Sequence, residues 1–386
     1  MPPISRRRLL TIGHSYCVAL NRRLAHEMAR AGADRWEVTA VAPDFFHGDL
    51  RDIPLEAIPD EACRLEPVPA RLSRQIHLFF YGAKLASIMR AGWDVVHCWE
   101  EPYIVAGGQI ARLTPRSAAL IYWTGQTLGK RYPPPFAMIE RYSMARAAGW
   151  AARGNIGAET LKARAGYDRL PWRVLPLGID AEIFRPDPAA GRAIRERLGW
   201  ADDGAPIVGY LGRMVEAKGV STLMRALESV AAPWRALFVG GGPMEPEVRR
   251  WADRFPGRVR IVAVPHAEVP AYLNAMDLLC APSQTTPGWR EIFGRMIIEA
   301  FACGVPVVAS DSGEIPAVAG DGAWIVGERD QPGWAAAIAE LIGDPKRRRD
   351  LAARGLERAR ANYAWPIVAR MHLEFFDELL TRRAPA

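Results

Sequence analysis

Two carboxylates with seven residues between them, Glu291 and Glu299, stand in the run Trp289-Arg290-Glu291-Ile292-Phe293-Gly294-Arg295-Met296-Ile297-Ile298-Glu299. The first falls in a loop after an apolar, strand-like run ending at Pro282-Ser283, and the second on a helix expected to begin near Phe293. The first N–H groups of a helix have no partner inside it and carry positive dipole charge, so that helix start suits an anion such as a phosphate. A carboxylate just before the helix and another two turns along it can accept hydrogen bonds from sugar and ribose hydroxyls around that phosphate. The block reads as a site for a sugar nucleotide.

Upstream, Gly212-Arg213 and Lys218-Gly219 follow the apolar run Pro206–Leu211. Both cations are placed to stabilise charge on phosphate oxygens, and Gly212 allows close backbone approach. Gly241 and Gly242 follow another apolar run and can bring backbone near a nucleotide, although a plain tight turn explains them almost as well.

The block from Glu291 to Glu299 resembles the retaining glycosyltransferases of family 4, whose hallmark opens Glu-Gly-Phe-Gly and closes on a second Glu. Glu291, Phe293, Gly294 and Glu299 match, while Ile292 replaces the glycine. Arg213 with Lys218, Gly240-Gly241-Gly242-Pro243 and Leu177-Gly178-Ile179-Asp180 resemble further family features. The resemblance covers roughly residues 8–365 and implies the GT-B fold, two Rossmann-like domains facing across a cleft. It implies that Glu291 holds the transferred sugar, that Glu299 binds ribose, and that Arg213 and Lys218 hold the donor phosphates, with Gly212, Gly241, Gly242, Phe293 and Gly294 lining the donor site. The leaving phosphate would help deprotonate the acceptor on the same face.

Strand and helix patterns alternate along the chain, which means parallel sheets with helices on both faces. Strands are expected at Arg8–Gly13, Trp36–Pro43, Asp94–Cys98 and Ala119–Trp123, with helices at Ala19–Ala31 and Met138–Ala147. The Pro- and Gly-rich region Pro171–Pro188 divides the chain, after which the alternation restarts. We expect an acceptor-binding domain over residues 1–175, a nucleotide-sugar domain over 190–365, and a terminal helix over 366–386 that packs back on the first. Its apolar stripe is Ile367, Met371, Phe375 and Leu379.

The acceptor side offers fewer signals. His14 occupies a loop after the first strand, and His97 and Glu100 end a later one and are expected to face the cleft. A histidine at a strand end is more often structural than catalytic. Gln126 follows the strand Ala119–Trp123 and could touch the sugar or the acceptor.

Composition limits the alternatives. A chain of 386 residues is long enough for two cores. Five isolated cysteines without Cys-x-x-Cys spacing argue against structural zinc and against a disulfide framework, and favour a reducing, cytoplasmic setting. The Arg6-Arg7-Arg8 start reads as the approach to a buried strand rather than a leader. A net charge of +7 admits contact with phosphates or with the anionic inner face of a membrane. The basic residues are not interleaved with aromatics on one module, which speaks against nucleic acid. The absence of an Asp-x-Asp triplet leans against a required metal, and no cofactor is expected. The expected partners are a nucleotide-sugar donor and a hydroxyl acceptor, which could be a lipid-linked glycan. The alternatives are an epimerase-like enzyme of the same fold and a non-catalytic nucleotide-sugar-binding protein.

Overall fold

The computed structural model describes residues 6–48, 52–200 and 204–383. The outer limits of the first expected domain and of the terminal segment, residues 1–5 and 384–386, lie outside them. The chain divides into two compact units, one of Met1–Gly178 with Trp365–Ala386, the other of Ile179–Ala364.

The first unit is built on a seven-stranded sheet whose spatial order is Trp172–Val174, Gly149–Ala152, Ala119–Thr124, Val95–Cys98, Arg7–Ile12, Trp36–Ala42 and Arg64–Pro67, all parallel. The second has six parallel strands in the order Val259–Val262, Arg235–Val239, Ile207–Leu211, Leu278–Ala281, Val307–Ser310 and Ala323–Val326. In both, the chain starts in the middle, winds outward to one edge, then returns and winds to the other. The reversal lies between Arg7–Ile12 and Val95–Cys98 in one sheet, and between Ile207–Leu211 and Leu278–Ala281 in the other. Ligands of doubly wound sheets bind outside the carboxyl ends of the strands at such a reversal.

The central strands are mostly apolar because helices cover both of their faces. Every residue of Val95–Cys98, Ala119–Thr124, Leu278–Ala281 and Val307–Ser310 is buried. Several helices start on the same device, an aspartate that accepts from a backbone N–H three residues on, followed closely by proline. Asp187 accepts from Ala190, Asp330 from Gly333 and Asp344 from Arg347.

The helix expected at Ala19–Ala31 is present with those bounds. Three strands of the seven-stranded sheet went unforeseen: Arg64–Pro67 carries charge on a sheet edge, Gly149–Ala152 is small-residue rich, and Trp172–Val174 is three residues long. None carries the β-branched alternation that marks a strand.

The terminal helix, Trp365–Arg383, belongs to the first unit and packs on Ala19–Ala31. Its buried face comprises Val368, His372, Phe375, Phe376 and Leu379, while Ile367 and Met371 of the expected stripe are only half-buried. A ladder of four-residue steps turns about 40° too far at each step, so it drifts off the face it is meant to follow. Gly178 is required here. A Cβ on it would fall 2.1 Å from the Trp365 ring.

Candidate functional site

Each unit brings one carboxylate across its reversal point to a loop that follows the unit's first strand. In the second unit, Ile207–Leu211 ends in Gly212 and Arg213, a short turn Glu216–Lys218, and the left-handed Gly219, which starts the helix Val220–Ser229. A Cβ on Gly219 would lie 1.7 Å from the Pro282 carbonyl oxygen, so only glycine lets the two loops meet. That approach brings Lys218 to the loop after Leu278–Ala281. The Lys218 Nζ donates to Glu291 Oε2 at 2.5 Å, and the Ser283 hydroxyl donates to the same oxygen at 2.9 Å. Glu291 is buried, Lys218 is partly exposed, and the Lys218 ammonium lies 4.8 Å from the centroid of the Trp289 ring. The Glu291 backbone carbonyl accepts from the Glu314 N–H at 3.1 Å, which fixes the carboxylate's loop from behind. Arg213 is exposed beside this pair in sequence, and its carbonyl accepts from the buried Tyr210 hydroxyl at 2.7 Å.

The helix carrying Glu299 spans Arg295–Ala302, two residues later than expected. Gly294 takes φ 79° at its N-cap, a left-handed conformation that favours glycine, and no side chain caps the helix. The first N–H groups of this helix thus follow Glu291 and Phe293 closely in the chain without a side-chain cap. Glu299 is buried, and His266 Nε2 lies 3.1 Å from its Oε1. Burial pushes the Arg295 guanidinium below its ordinary value, and the Glu299 charge opposes that shift. Burial also raises the Cys303 thiol to about 12, helped by Glu299.

The glycine-rich turn has a structural duty. A Cβ on Gly240 would sit 2.0 Å from the Gly212 carbonyl oxygen, and one on Gly242 would sit 2.6 Å from that of Met214. Met214 N–H donates to the Gly241 carbonyl at 2.8 Å. Gly240 and Gly242 thus let their turn zip onto the Gly212–Met214 loop, in keeping with the tight turn weighed beside a nucleotide contact for Gly241 and Gly242.

In the first unit, Glu100 follows Val95–Cys98 and is fully buried. Its Oε1 accepts from the His14 backbone N–H at 2.5 Å and from the Tyr81 hydroxyl at 2.6 Å, and its Oε2 lies 2.6 Å from His14 Nδ1. The His14 ring is flanked by Phe46 and Phe79, with centroids 4.8 and 5.3 Å away. Glu101 takes the next loop, accepting from the Thr124 hydroxyl and from the Gly125 N–H at 2.9 Å. Gln126 is held by Tyr132, whose hydroxyl donates to its Oε1 at 2.7 Å, and its Nε2 reaches the Tyr103 hydroxyl at 3.3 Å. The Tyr103 and Tyr132 rings stack 3.9 Å apart.

His97 does not open toward a ligand as expected. Strand alternation turns it to the sheet face covered by the terminal helix, where it is completely buried with its rings near Trp123, His372 and Phe376. Its Nδ1 lies 2.8 Å from the Thr11 hydroxyl, and burial holds its pKa well below the ordinary value, with His372 adding to the effect.

Sequence reasoning paired Glu101 with Glu100 at a strand end but missed the roles of His266, Ser283 and Tyr81. No local spacing marks any of these three. Among the described residues no cluster of three or more His, Cys, Asp or Glu side chains could hold a metal, and no helix is long and apolar enough to cross a membrane.

Comparison with known proteins follows this geometry. A family model described as "Glycosyl transferases group 1" matches residues 205–344, and one described as "Glycosyltransferase Family 4" matches residues 22–183. The chain is 30% identical over 312 residues to a D-inositol 3-phosphate glycosyltransferase of Xylanimonas cellulosilytica, covering 77% of this chain and 71% of that one. It is 35% identical over 201 residues to a GDP-mannose-dependent alpha-(1-6)-phosphatidylinositol monomannoside mannosyltransferase of Mycolicibacterium smegmatis. That match covers 50% of this chain and about half, 52%, of the relative. The fold is similar to that of sucrose-phosphate synthase from Thermosynechococcus elongatus, with a TM-score of 0.73 at 21% identity over 98% of this chain and 100% of that one. It is also similar to Anabaena HepE in complex with UDP and glucose, with a TM-score of 0.74 at 18% identity over 97% of this chain and 100% of that one.

Proposed function

The chain belongs to glycosyltransferase family 4 and has the two Rossmann-like units of the GT-B fold, and from that membership we propose that it moves a sugar from a nucleoside-diphosphate donor to a hydroxyl acceptor with retention of anomeric configuration. The observation that carries the reading is the Lys218–Glu291 pair, braced by Ser283 at the reversal point of the second sheet.

A buried carboxylate paired with a partly exposed ammonium on a long side chain is a site suited to exchange of partners. When donor phosphates arrive, Lys218 turns to their oxygens together with Arg213, and the uncapped N–H groups after Gly294 add positive charge. Glu291 stays anchored through Ser283 and accepts from hydroxyls of the transferred sugar. Glu299, oriented by His266, accepts from the ribose. The bond between the anomeric carbon and the phosphate oxygen breaks as the bond to the acceptor oxygen forms on the same face, and the acceptor proton passes to the leaving phosphate. Lys218 and Arg213 then meet the charge that builds on the leaving group, the kind of stabilisation most enzymes rely on most heavily. On this reading no divalent metal is required. On the acceptor side His14 and Gln126 present ring and amide, each fixed by its own partners. Both curated relatives described above are named for inositol-containing acceptors, and we extend that class of polyol hydroxyl to this chain as the first to try.

The test is a thermal-shift series with UDP-, GDP- and ADP-sugars, with and without EDTA, followed by a transfer assay on inositol phosphate and phosphatidylinositol. One nucleotide class should raise Tm, since stabilisation grows with the ratio of ligand concentration to Kd, and EDTA should leave the shift intact. Loss of both shift and transfer in EDTA would remove the metal-independent mechanism. No shift and no transfer with any donor would remove the functional reading.

A further inference from the structure

We infer that the hairpin formed by Ala70–Arg71 and Phe80–Tyr81, with its connecting turn, seats the first unit on an anionic lipid surface. The strands pair antiparallel, Arg71 opposite Phe80, and the turn between them exposes an unusual set of side chains. Leu72 is 58% exposed, Ile76 42%, Leu78 38% and Phe80 37%. Half of the large hydrophobic residues most exposed among the described ones thus fall within nine consecutive positions. Scattered exposed apolar residues need no explanation, whereas a concentration of them marks an interaction surface.

Charge selects the partner. From Pro67 to Trp93 the chain contains Arg71, Arg74, Lys84 and Arg90 and no acidic residue at all. Arg71 and Arg74 are exposed beside the apolar set. Apolar side chains interleaved with arginines, without carboxylates, complement a surface of anionic headgroups over hydrocarbon. The hairpin also satisfies several of its own backbone groups, which lowers the cost of leaving water. Gln75 N–H donates to the Leu72 carbonyl at 2.9 Å, Leu78 and Phe79 N–H to that of Gln75 at 2.8 and 3.0 Å, and Gly82 N–H to that of Pro69 at 2.8 Å.

Leu72 adds an independent sign. It holds φ 56°, a left-handed conformation uncommon outside glycine and asparagine. A polar or glycine residue would fit that turn with less strain, so the apolar side chain is kept at a cost the fold itself does not explain.

The patch continues beyond the hairpin and is tied to the acceptor-side residues. His77 lies 5.8 Å from the Phe136 ring, at the start of the helix Phe136–Arg146, which exposes Met138 and Tyr142 on one face one turn apart with Arg141 between them. Inward from the tip, Phe79 packs on His14 and Tyr81 bonds Glu100. A hairpin seated on lipid would therefore hold these residues near the headgroups. The surface itself does not depend on the proposed reaction.

The test is co-sedimentation of the full chain, without donor or acceptor, with vesicles of phosphatidylcholine alone and of phosphatidylcholine with phosphatidylglycerol. The expected result is binding to the anionic vesicles only. Leu72→Ser with Ile76→Ser should weaken it about tenfold or more, and Arg71→Gln with Arg74→Gln should weaken it and flatten its salt dependence. Tm of each variant, expected unchanged, separates lost docking from lost folding. Equal pelleting with both vesicle types, or binding that survives both double substitutions, would overturn the inference. So would an apolar double variant that converts a dimer to a monomer while vesicle binding persists, which would make the patch a contact between copies. Because no sugar transfer is measured, failure here leaves the reaction standing, and failure of the reaction leaves this result standing.

Discussion

The two units answer the same topological problem with different chemistry. In each, a carboxylate on the loop after the fourth strand reaches a nitrogen on the loop after the first: Glu100 to His14 in one, Glu291 to Lys218 in the other. Glu100 is saturated. It takes the His14 backbone N–H, the His14 ring and the Tyr81 hydroxyl, and no part of its side chain is exposed. Glu291 takes one ammonium and one hydroxyl on a single oxygen, shortly before an uncapped helix start and between glycine-dependent loops. A saturated carboxylate fixes loops, and a carboxylate on a flexible cation is ready to trade partners. The reversal point supplies a position in space; the residues placed there decide whether it is a brace or a binding site.

That contrast can be broken most sharply at the lysine. Lys218→Ala should lower kcat by about a hundredfold to a thousandfold, the usual consequence of removing one charge aimed at a leaving group. His14→Ala should lower it far less. Equal losses from the two substitutions, in steady-state kinetics of folded variants, would erase the distinction.

Acid should find the first unit before the second. His97 and His372 are buried and neutral, both with pKa values lowered by burial, His372 to about 4. As the pH falls from about 6.5 toward 4, the unfolded chain takes up protons on these rings while the folded one does not, so stability is present above that window and is lost on the way down. For His372 the loss amounts to about 3 kcal/mol across the window. Thermal unfolding followed between pH 4.5 and 7.5 should show a slope that His372→Gln reduces, and an unchanged slope would place the acid sensitivity elsewhere.

Glu100→Gln comes next. The amide adds N–H donors where donors already converge, so the substitution should cost about 1–3 kcal/mol of stability with little change in nucleotide affinity. Comparing Tm with the Kd for the donor nucleotide checks this; a variant with native Tm and weakened nucleotide binding would make Glu100 part of the donor site. The smallest expected effect is at His266, beside Glu299. Glu299→Ala should weaken nucleotide binding by about 1–3 kcal/mol through loss of the ribose acceptor, and His266→Ala by less, since it removes only the group that orients it. Calorimetric titration of both variants would decide, with unchanged affinity in Glu299→Ala counting against the ribose assignment.

The second unit was the more legible in sequence because its chemistry is carried by short-range patterns. Two glutamates framing a helix start, a Gly-Arg with a Lys-Gly five residues on, and strand–helix alternation are all local, and local patterns survive in one dimension. Glu291 and Glu299 could be singled out without knowing what they touch. In the first unit the same reading placed His97 at a strand end facing a ligand, and chain order could not reveal that the terminal helix covers that face of the sheet.

What the sequence by itself determined is the alternation of elements, an expected division within Pro171–Pro188, and the residue types available for phosphate and hydroxyl recognition, because periodicity and composition act over a few turns of chain. What only the tertiary structure decided is which partners meet. Lys218 finds Glu291 across 73 positions, His14 finds Glu100 across 86, and Glu299 finds His266 across 33. Those meetings follow from the order of parallel strands, which sets loops from distant segments side by side. They also follow from glycines such as Gly219 and Gly242, whose missing side chains let one backbone lie against another. No local rule encodes such contacts, since the free energy that selects them comes from packing the whole sheet at once.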